Sequence, residues 1–356
     1  MSSSTFNFER TVPPVRWTSI AVFAAALLLL GVVGWEIHCR RIGYAPTVND
    51  SMELWAQRRS SVKPDSMVII GDSRAWFDLD LDELEKGLGK RPIQLALSGS
   101  TVFPVLKNLC DDERFHGTII CSVLPVLYFV PAGPPLKRSQ DAVDHYLKQP
   151  LSERVDLPLA MFLEQRLAFM NMQELTLEEM LKALPIPDRA GVAHGPKLPP
   201  YFNAMDTERH ARMIDRCVQP GPLQDLVRRT WPPLFTPPPP PPGVTPEQAM
   251  EQFKIAFGQR LKDTVTAVNK LRQRGGKIVF VRFPNSGPLR ELENKFTPRQ
   301  QTWDVLLAQT NVSGVHFEDH PELSGFECPE FSHLKPDDVP VFTQRLVPYL
   351  KVSLGL

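Results

Sequence analysis

Cysteine is scarce in this chain. Five residues, Cys39, Cys110, Cys121, Cys217 and Cys328, are scattered through 356 positions. That excludes a disulfide-built scaffold, and no pair has the C-x-x-C spacing of structural zinc, so no metal site is expected. Their odd number leaves the redox compartment open. Net charge is absent too: forty Lys and Arg balance forty Asp and Glu, and no basic run is interleaved with aromatics. The electrostatic footprint of a nucleic-acid binder is therefore missing, and that partner is excluded. No repeat recurs at solenoid periods. With 42% apolar and 22% charged residues, the composition is globular and excludes a wholly disordered or coiled-coil chain. At ~100–200 residues per domain, the length fits one large domain or two small ones. Proline is in excess, at 36 residues; this is about twice the usual ~5% and predicts long irregular connections.

No charged residue occurs from Trp17 to Trp35, and the stretch Ile20 to Val33 is almost wholly apolar. As a helix rising ~1.5 Å per residue this segment spans ~28 Å, close to the ~30 Å of a bilayer's hydrocarbon. A transmembrane helix over 17–35 is expected, between an N-terminal tail (1–16) and a linker (36–64). Tryptophan at each end suits the two interfaces, and Arg16, Arg40 and Arg41 suit the head groups. A cleaved signal peptide is the competing reading, although its apolar region normally runs only ~7–15 residues. Arg10 and Arg16 on one side balance Arg40 and Arg41 on the other, so charge does not orient the span. Cys39 beside it is a conceivable acylation site.

Short apolar runs of buried-strand type follow at 67–71, Ile93–Leu97, Thr118–Leu124, Lys277–Phe283 and Gly314–Phe317. Helical patterns lie between them at Leu79–Leu88, Phe103–Cys110, Pro246–Arg274 and Pro298–Gln309, and a last one runs from Pro336 to Leu350. Thr245-Pro-Glu-Gln248 is a capping box that starts the long helix. This alternation predicts an α/β domain over 65–352, with a five-stranded, mostly parallel sheet between two helical layers and a crevice at the strands' carboxyl ends. Residues 131–245 interrupt it as a helical and proline-rich insertion, with amphipathic stretches near Ser139–Tyr146, Leu159–Met170 and Thr176–Leu184. The insertion ends in six prolines, 237–242, which favour a polyproline II rod of ~19 Å, serving as a spacer or as a docking motif for a protein partner.

Two segments carry chemistry. Val68-Ile-Ile-Gly-Asp-Ser73 is a buried strand running into a turn, which puts the Ser73 hydroxyl at the crevice mouth near a helix start, where N–H groups stabilise negative charge. Plain turn chemistry, with Asp72 capping the following residues, is the alternative. Cys328-Pro-Glu-Phe-Ser-His333 sets Glu330 and His333 three apart in a loop before the last helix. A serine needs a base, and the base needs a carboxylate to fix its tautomer, so one loop can supply both. His316 and His320 with Glu318 and Asp319 raise metal ligation, but a structural role is favoured.

These blocks make the chain resemble the SGNH/GDSL hydrolase superfamily, over about residues 65–350. The resemblance implies a flavodoxin-like three-layer sandwich, a nucleophile at Ser73, a base at His333 and an acid at Glu330, where the family has Asp. It implies an oxyanion N–H from Gly99 in Leu97-Ser-Gly-Ser-Thr101. The family's Gly-x-Asn-Asp block after the third strand is missing, since the chain reads Cys121-Ser-Val-Leu-Pro125. Arg282 and Asn285, after the fourth strand, are candidate substitutes, and Arg74 is a candidate for binding an anionic or sugar substrate; ordinary salt bridges or turn capping are equally open. The implied activity needs no cofactor: a membrane-anchored serine esterase or O-acyltransferase, on an acylated small molecule or a cell-surface polysaccharide, with its domain on the extracytoplasmic side. The alternative is an inactive SGNH-like protein that binds glycan or scaffolds an envelope complex through its insertion.

Overall fold

The computed structural model describes residues 15–172, 174–182, 184, 199, 201–237, 239, 240 and 242–356. Helix α1 (Trp17–Arg41) continues past the uncharged run through Glu36 and Arg40. It is long and apolar enough to cross a membrane, and its apolar window is wholly exposed. Helix α2 (Met52–Ser60) starts where the Ser51 hydroxyl accepts the Leu54 N–H at 3.2 Å. It buries Leu54 and Trp55 completely, so much of the segment expected as a linker belongs to the domain.

The first strand, β1 (Met67–Ile70), leads into α3 (Ser73–Phe77), α4 (Leu81–Leu88) and β2 (Ile93–Gln94). Helix α5 (Phe103–Asp111) then connects to β3 (Thr118–Ser122). Helix α6 (Pro125–Tyr128) follows β3, and the insertion then contributes α7 (Pro134–Lys148), α8 (Leu151–Glu164), a 3-10 turn at Ala168–Met170 and α9 (Leu177–Lys182). It goes on through a hairpin of β4 (Asn203–Met205) and β5 (Ala211–Met213), then α10 (Asp215–Val218) and α11 (Pro222–Phe235). The chain returns through α12 (Pro246–Gln273) to β6 (Lys277–Arg282), α13 (Gly287–Phe296), α14 (Trp303–Thr310) and β7 (Gly314–His316). It closes with α15 (Pro321–Ser324) and α16 (Asp338–Leu354).

The five central strands are all parallel, in the order β2-β1-β3-β6-β7. From β1 the chain moves outward to β2 and then crosses back to β3, so the direction of winding reverses between β1 and β3. In open α/β sheets the ligand crevice lies at such a point, at the strands' carboxyl ends. Successive strand residues point to opposite faces of the sheet, as the pleat requires. Ile69, Ile120, Val279 and Val281 pack with α4 and α16, whereas Val68, Ile70, Ile119, Cys121 and Phe280 pack with α5 and α12. A strand covered on both faces must be apolar throughout, which is why these runs are continuous.

Several boundaries differ from the sequence reading. The pattern at 159–170 is displaced: α8 starts at Leu151 and the regular helix stops at Glu164. Helix α13 starts with proline at its first positions, and its Gly287-Pro288 start reads locally as a turn. Trp231-Pro-Pro lies in the last turns of α11, where each proline removes one N–H bond to the carbonyl four residues earlier. The capping box at Thr245 is present, with both reciprocal bonds. Pro238 and Pro241 of the expected rod lie outside the described residues.

Candidate active site

Gly71 ends β1 with φ +152, and a Cβ there would stand 2.4 Å from the Ser122 Cβ. Glycine thus lets the β1 turn close against β3. Asp72 caps α3, its Oδ1 accepting the Arg74 N–H at 2.9 Å and its Oδ2 accepting the Ser122 hydroxyl at 3.0 Å. The turn is held from two sides, and Ser73 becomes the first residue of α3. Its side chain is half-buried.

The second loop arrives from 260 residues away. Ser73 Oγ lies 2.8 Å from His333 Nε2, and His333 Nδ1 lies 3.0 Å from Glu330 Oε1. With Nδ1–H donating to the carboxylate, Nε2 is left to accept the Ser73 proton, the arrangement a general base requires. Glu330 and His333 are both fully buried. Glu330 Oε1 also accepts the backbone N–H of Ser332 at 3.2 Å and of His333 at 2.5 Å, and Oε2 accepts Trp231 Nε1–H at 2.6 Å. A buried carboxylate so surrounded by donors has its charge compensated.

Phe331, between the acid and the base, has φ +80. A non-glycine residue costs about 1–3 kcal/mol in such a region and stays there only if its neighbours over-determine it. Those neighbours are visible. The Phe331 carbonyl accepts the Ser286 N–H at 2.9 Å, the Ser286 hydroxyl accepts the Cys328 N–H at 2.9 Å, and Arg228 donates to the Pro329 carbonyl from α11. Below the loop, the Leu334 N–H bonds to Asp78 Oδ1 at 2.9 Å. Burial pushes the Asp78 carboxyl well above the ordinary aspartate range.

His333 stacks on Phe77, with ring centroids 4.4 Å apart, and Phe202 and Trp231 stand at 5.8 and 5.9 Å. Phe202 and Trp231 come from the insertion, so that segment walls the imidazole and holds the acid. Sequence reading missed this role. A tryptophan before two prolines carries no signal for it, because the contact depends on where α11 packs.

The other expected site residues divide. Gly99 is exposed with φ +62, and its N–H has no protein acceptor among the described residues. The Ser73 N–H, at the start of α3, is likewise without one. Arg74 is not available to a substrate: it is fully buried and paired with Glu293, with Nη1 3.3 Å from Oε2. Arg282 is bound to the same Glu293. Burial alone would raise Glu293, yet Arg282 and Arg74 hold it down at about 2. Asn285 is buried beside Arg282 and His316 around a cavity of about 20 Å³, room for about one water. These arginines brace the core because β6 and α3 both deliver cations to one carboxylate on α13. No side-chain amide follows β3, where Val123, Leu124 and Pro125 continue the chain.

His316 and His320 do not converge: His316 Nδ1 accepts the Glu318 N–H at 3.2 Å, and His320 stacks on Tyr349 at 3.8 Å. Among the described residues, Glu53, His145 and Glu153 bring three potential ligand atoms within 4.8 Å of one another, all half-exposed. His145 Nε2 and Glu153 Oε2 there lie 2.9 Å apart. No protein-family model, curated protein or solved structure matches this chain.

Proposed function

We propose that this chain is a membrane-anchored serine esterase or O-acyltransferase of SGNH/GDSL type. The observation that carries the reading is Ser73 Oγ at 2.8 Å from His333 Nε2, with Glu330 at 3.0 Å from the other ring nitrogen. Ser73 attacks the ester carbonyl while His333 Nε2 takes its proton, and the oxyanion meets the Ser73 and Gly99 N–H groups. Collapse expels the alcohol, which takes the proton back from His333 and leaves an acyl-serine. Water, or a sugar hydroxyl, then attacks that acyl group with the same histidine as base. The strand order β2-β1-β3-β6-β7 supports a flavodoxin-like sandwich. Cell-surface polysaccharide as the acylated substrate, and the domain's extracytoplasmic side, rest on the SGNH-like resemblance, with α1 as a single-pass anchor.

One observation favours a second reading, an inactive SGNH-like scaffold that binds glycan or an envelope partner through the insertion. No amide side chain stands after β3, and the loss of an oxyanion donor costs about 2.7–4 kcal/mol of transition-state stabilisation. The test is a fluorophosphonate probe and p-nitrophenyl acetate offered to the full-length protein in detergent. Labelling and turnover that vanish in Ser73→Ala support the enzyme. A folded wild type that neither labels nor turns over moves the reading to the scaffold. A reporter fused to the C-terminus reads the side of the membrane.

A further inference from the structure

Helix α8 is apolar on the face that it turns outward. Its inner face, at Leu157, Met161 and Glu164, packs on the domain, and Glu164 Oε2 accepts the Asn49 N–H at 3.0 Å. The opposite face carries Val155, Leu159 and Phe162, which are 74, 63 and 52% exposed. Surface helices normally turn charge to that side, and a contiguous exposed apolar stripe marks a binding surface.

The foot of α1 says what covers it. Glu36 is the first charged residue after the apolar run. Its carboxylate accepts the N–H groups of Ala168 and Phe169 at 3.0 and 3.2 Å, and Arg40 donates to the Arg166 carbonyl at 2.8 Å. Tyr44 bonds to Glu174 and stacks on Tyr201. The segment just after α8 is thus bolted to the point where α1 leaves its apolar span, and Met172 and Leu177 beside it are exposed as well. The Arg166 guanidinium lies over the Phe162 ring, 3.7 Å from its centroid, which sets an exposed cation on the apolar stripe, a pairing that suits a lipid interface with its head-group phosphates.

We infer that the outward face of α8, with Met172 and Leu177, lies in the membrane interface and fixes the domain against the bilayer that α1 spans. The inference rests on reading α1 as a membrane anchor. Its consequence is orientation: the site is held at a set height over the lipid instead of swinging on a tether, which suits a substrate carried at that surface.

All five native cysteines are buried, so an introduced surface cysteine can be labelled selectively in the full-length protein. An environment-sensitive fluorophore is placed at Leu159→Cys, Phe162→Cys, Glu251→Cys in the exposed first turns of α12, and Leu28→Cys in the span. The proteins are then reconstituted in phosphatidylcholine vesicles with chain-spin-labelled lipid. Blue-shifted emission that lipid quenches at positions 159 and 162, but not at 251, supports the docking. Quenching at 28 without quenching at 159 and 162 overturns it and leaves the anchor standing. Blue-shifted emission at 159 and 162 that no lipid quenches means that protein, such as a second copy, covers the face, and also overturns it. If position 28 is unquenched, the anchor reading falls and the docking falls with it.

Discussion

Trp231 Nε1–H donates to Glu330 Oε2 at 2.6 Å, joining the insertion to the acid of the triad across 99 residues. Trp231→Phe keeps an aromatic wall beside His333 and removes only that donor. A hydrogen bond to a charged group contributes about 1.5–3 kcal/mol, and a buried carboxylate left short of a donor is free to turn. Stability in urea should fall by about that amount, and kcat should fall with it while KM changes little. Unchanged kcat would mean that the other three donors suffice to orient Glu330.

Glu330→Gln tests the acid itself. All four contacts of Glu330 come from N–H donors, so an amide must point its own NH2 at one of them. Whichever donor the NH2 faces, the negative charge that stabilises the imidazolium is lost, and where it faces Nδ1 the tautomer that leaves Nε2 free to take the Ser73 proton is no longer favoured. The expected fall in kcat is about 10⁴-fold, the order seen when a triad acid is replaced by its amide. Fluorophosphonate labelling should slow in parallel, in a protein whose circular dichroism is unchanged.

Gly71→Ala should separate placement of the nucleophile from its chemistry. The added methyl stands 2.4 Å from the Ser122 Cβ and 3.0 Å from the Ala75 Cβ. The turn after β1 must therefore move away from β3 and α3, which strains the bond from Ser122 to Asp72. Overpacking of this kind costs about 1–3 kcal/mol. The variant should melt earlier and label far more slowly, although Ser73, His333 and Glu330 are all present.

Glu293 sets an acid limit on the fold. Its folded pKa of about 2 lies below the ordinary 4.5 because Arg282 and Arg74 outweigh burial. For a carboxylate with a depressed folded value, the unfolded chain binds more protons in the window between the two. The stability it contributes is therefore full above about pH 4.5 and is lost as pH falls toward 2. Glu293→Gln should lower stability at neutral pH, by leaving two buried guanidinium groups short of a counter-charge, and should flatten the slope of stability against pH between those limits. Urea unfolding of both proteins at several pH values measures this. A slope equal in both would assign the acid sensitivity to other carboxylates.

The long apolar helix α1, the five apolar strands, the serine turn and the Glu-x-x-His loop were legible along the chain, because each follows from local rules. A hydrocarbon span needs a long uncharged run, strands buried on both faces need continuous apolar residues, and a turn needs glycine and a capping aspartate. Strand order and the meeting of residues 73 and 333 depend on contacts between segments far apart in sequence, which no local window contains. The same holds for Arg74 and Arg282. Their charge and position suited a substrate, and only packing of α13 across the sheet gave both of them to Glu293. Trp231 was a tryptophan among prolines until α11 folded back over the loop, since a side chain's partner is chosen by the space it is packed into and not by its neighbours in the chain.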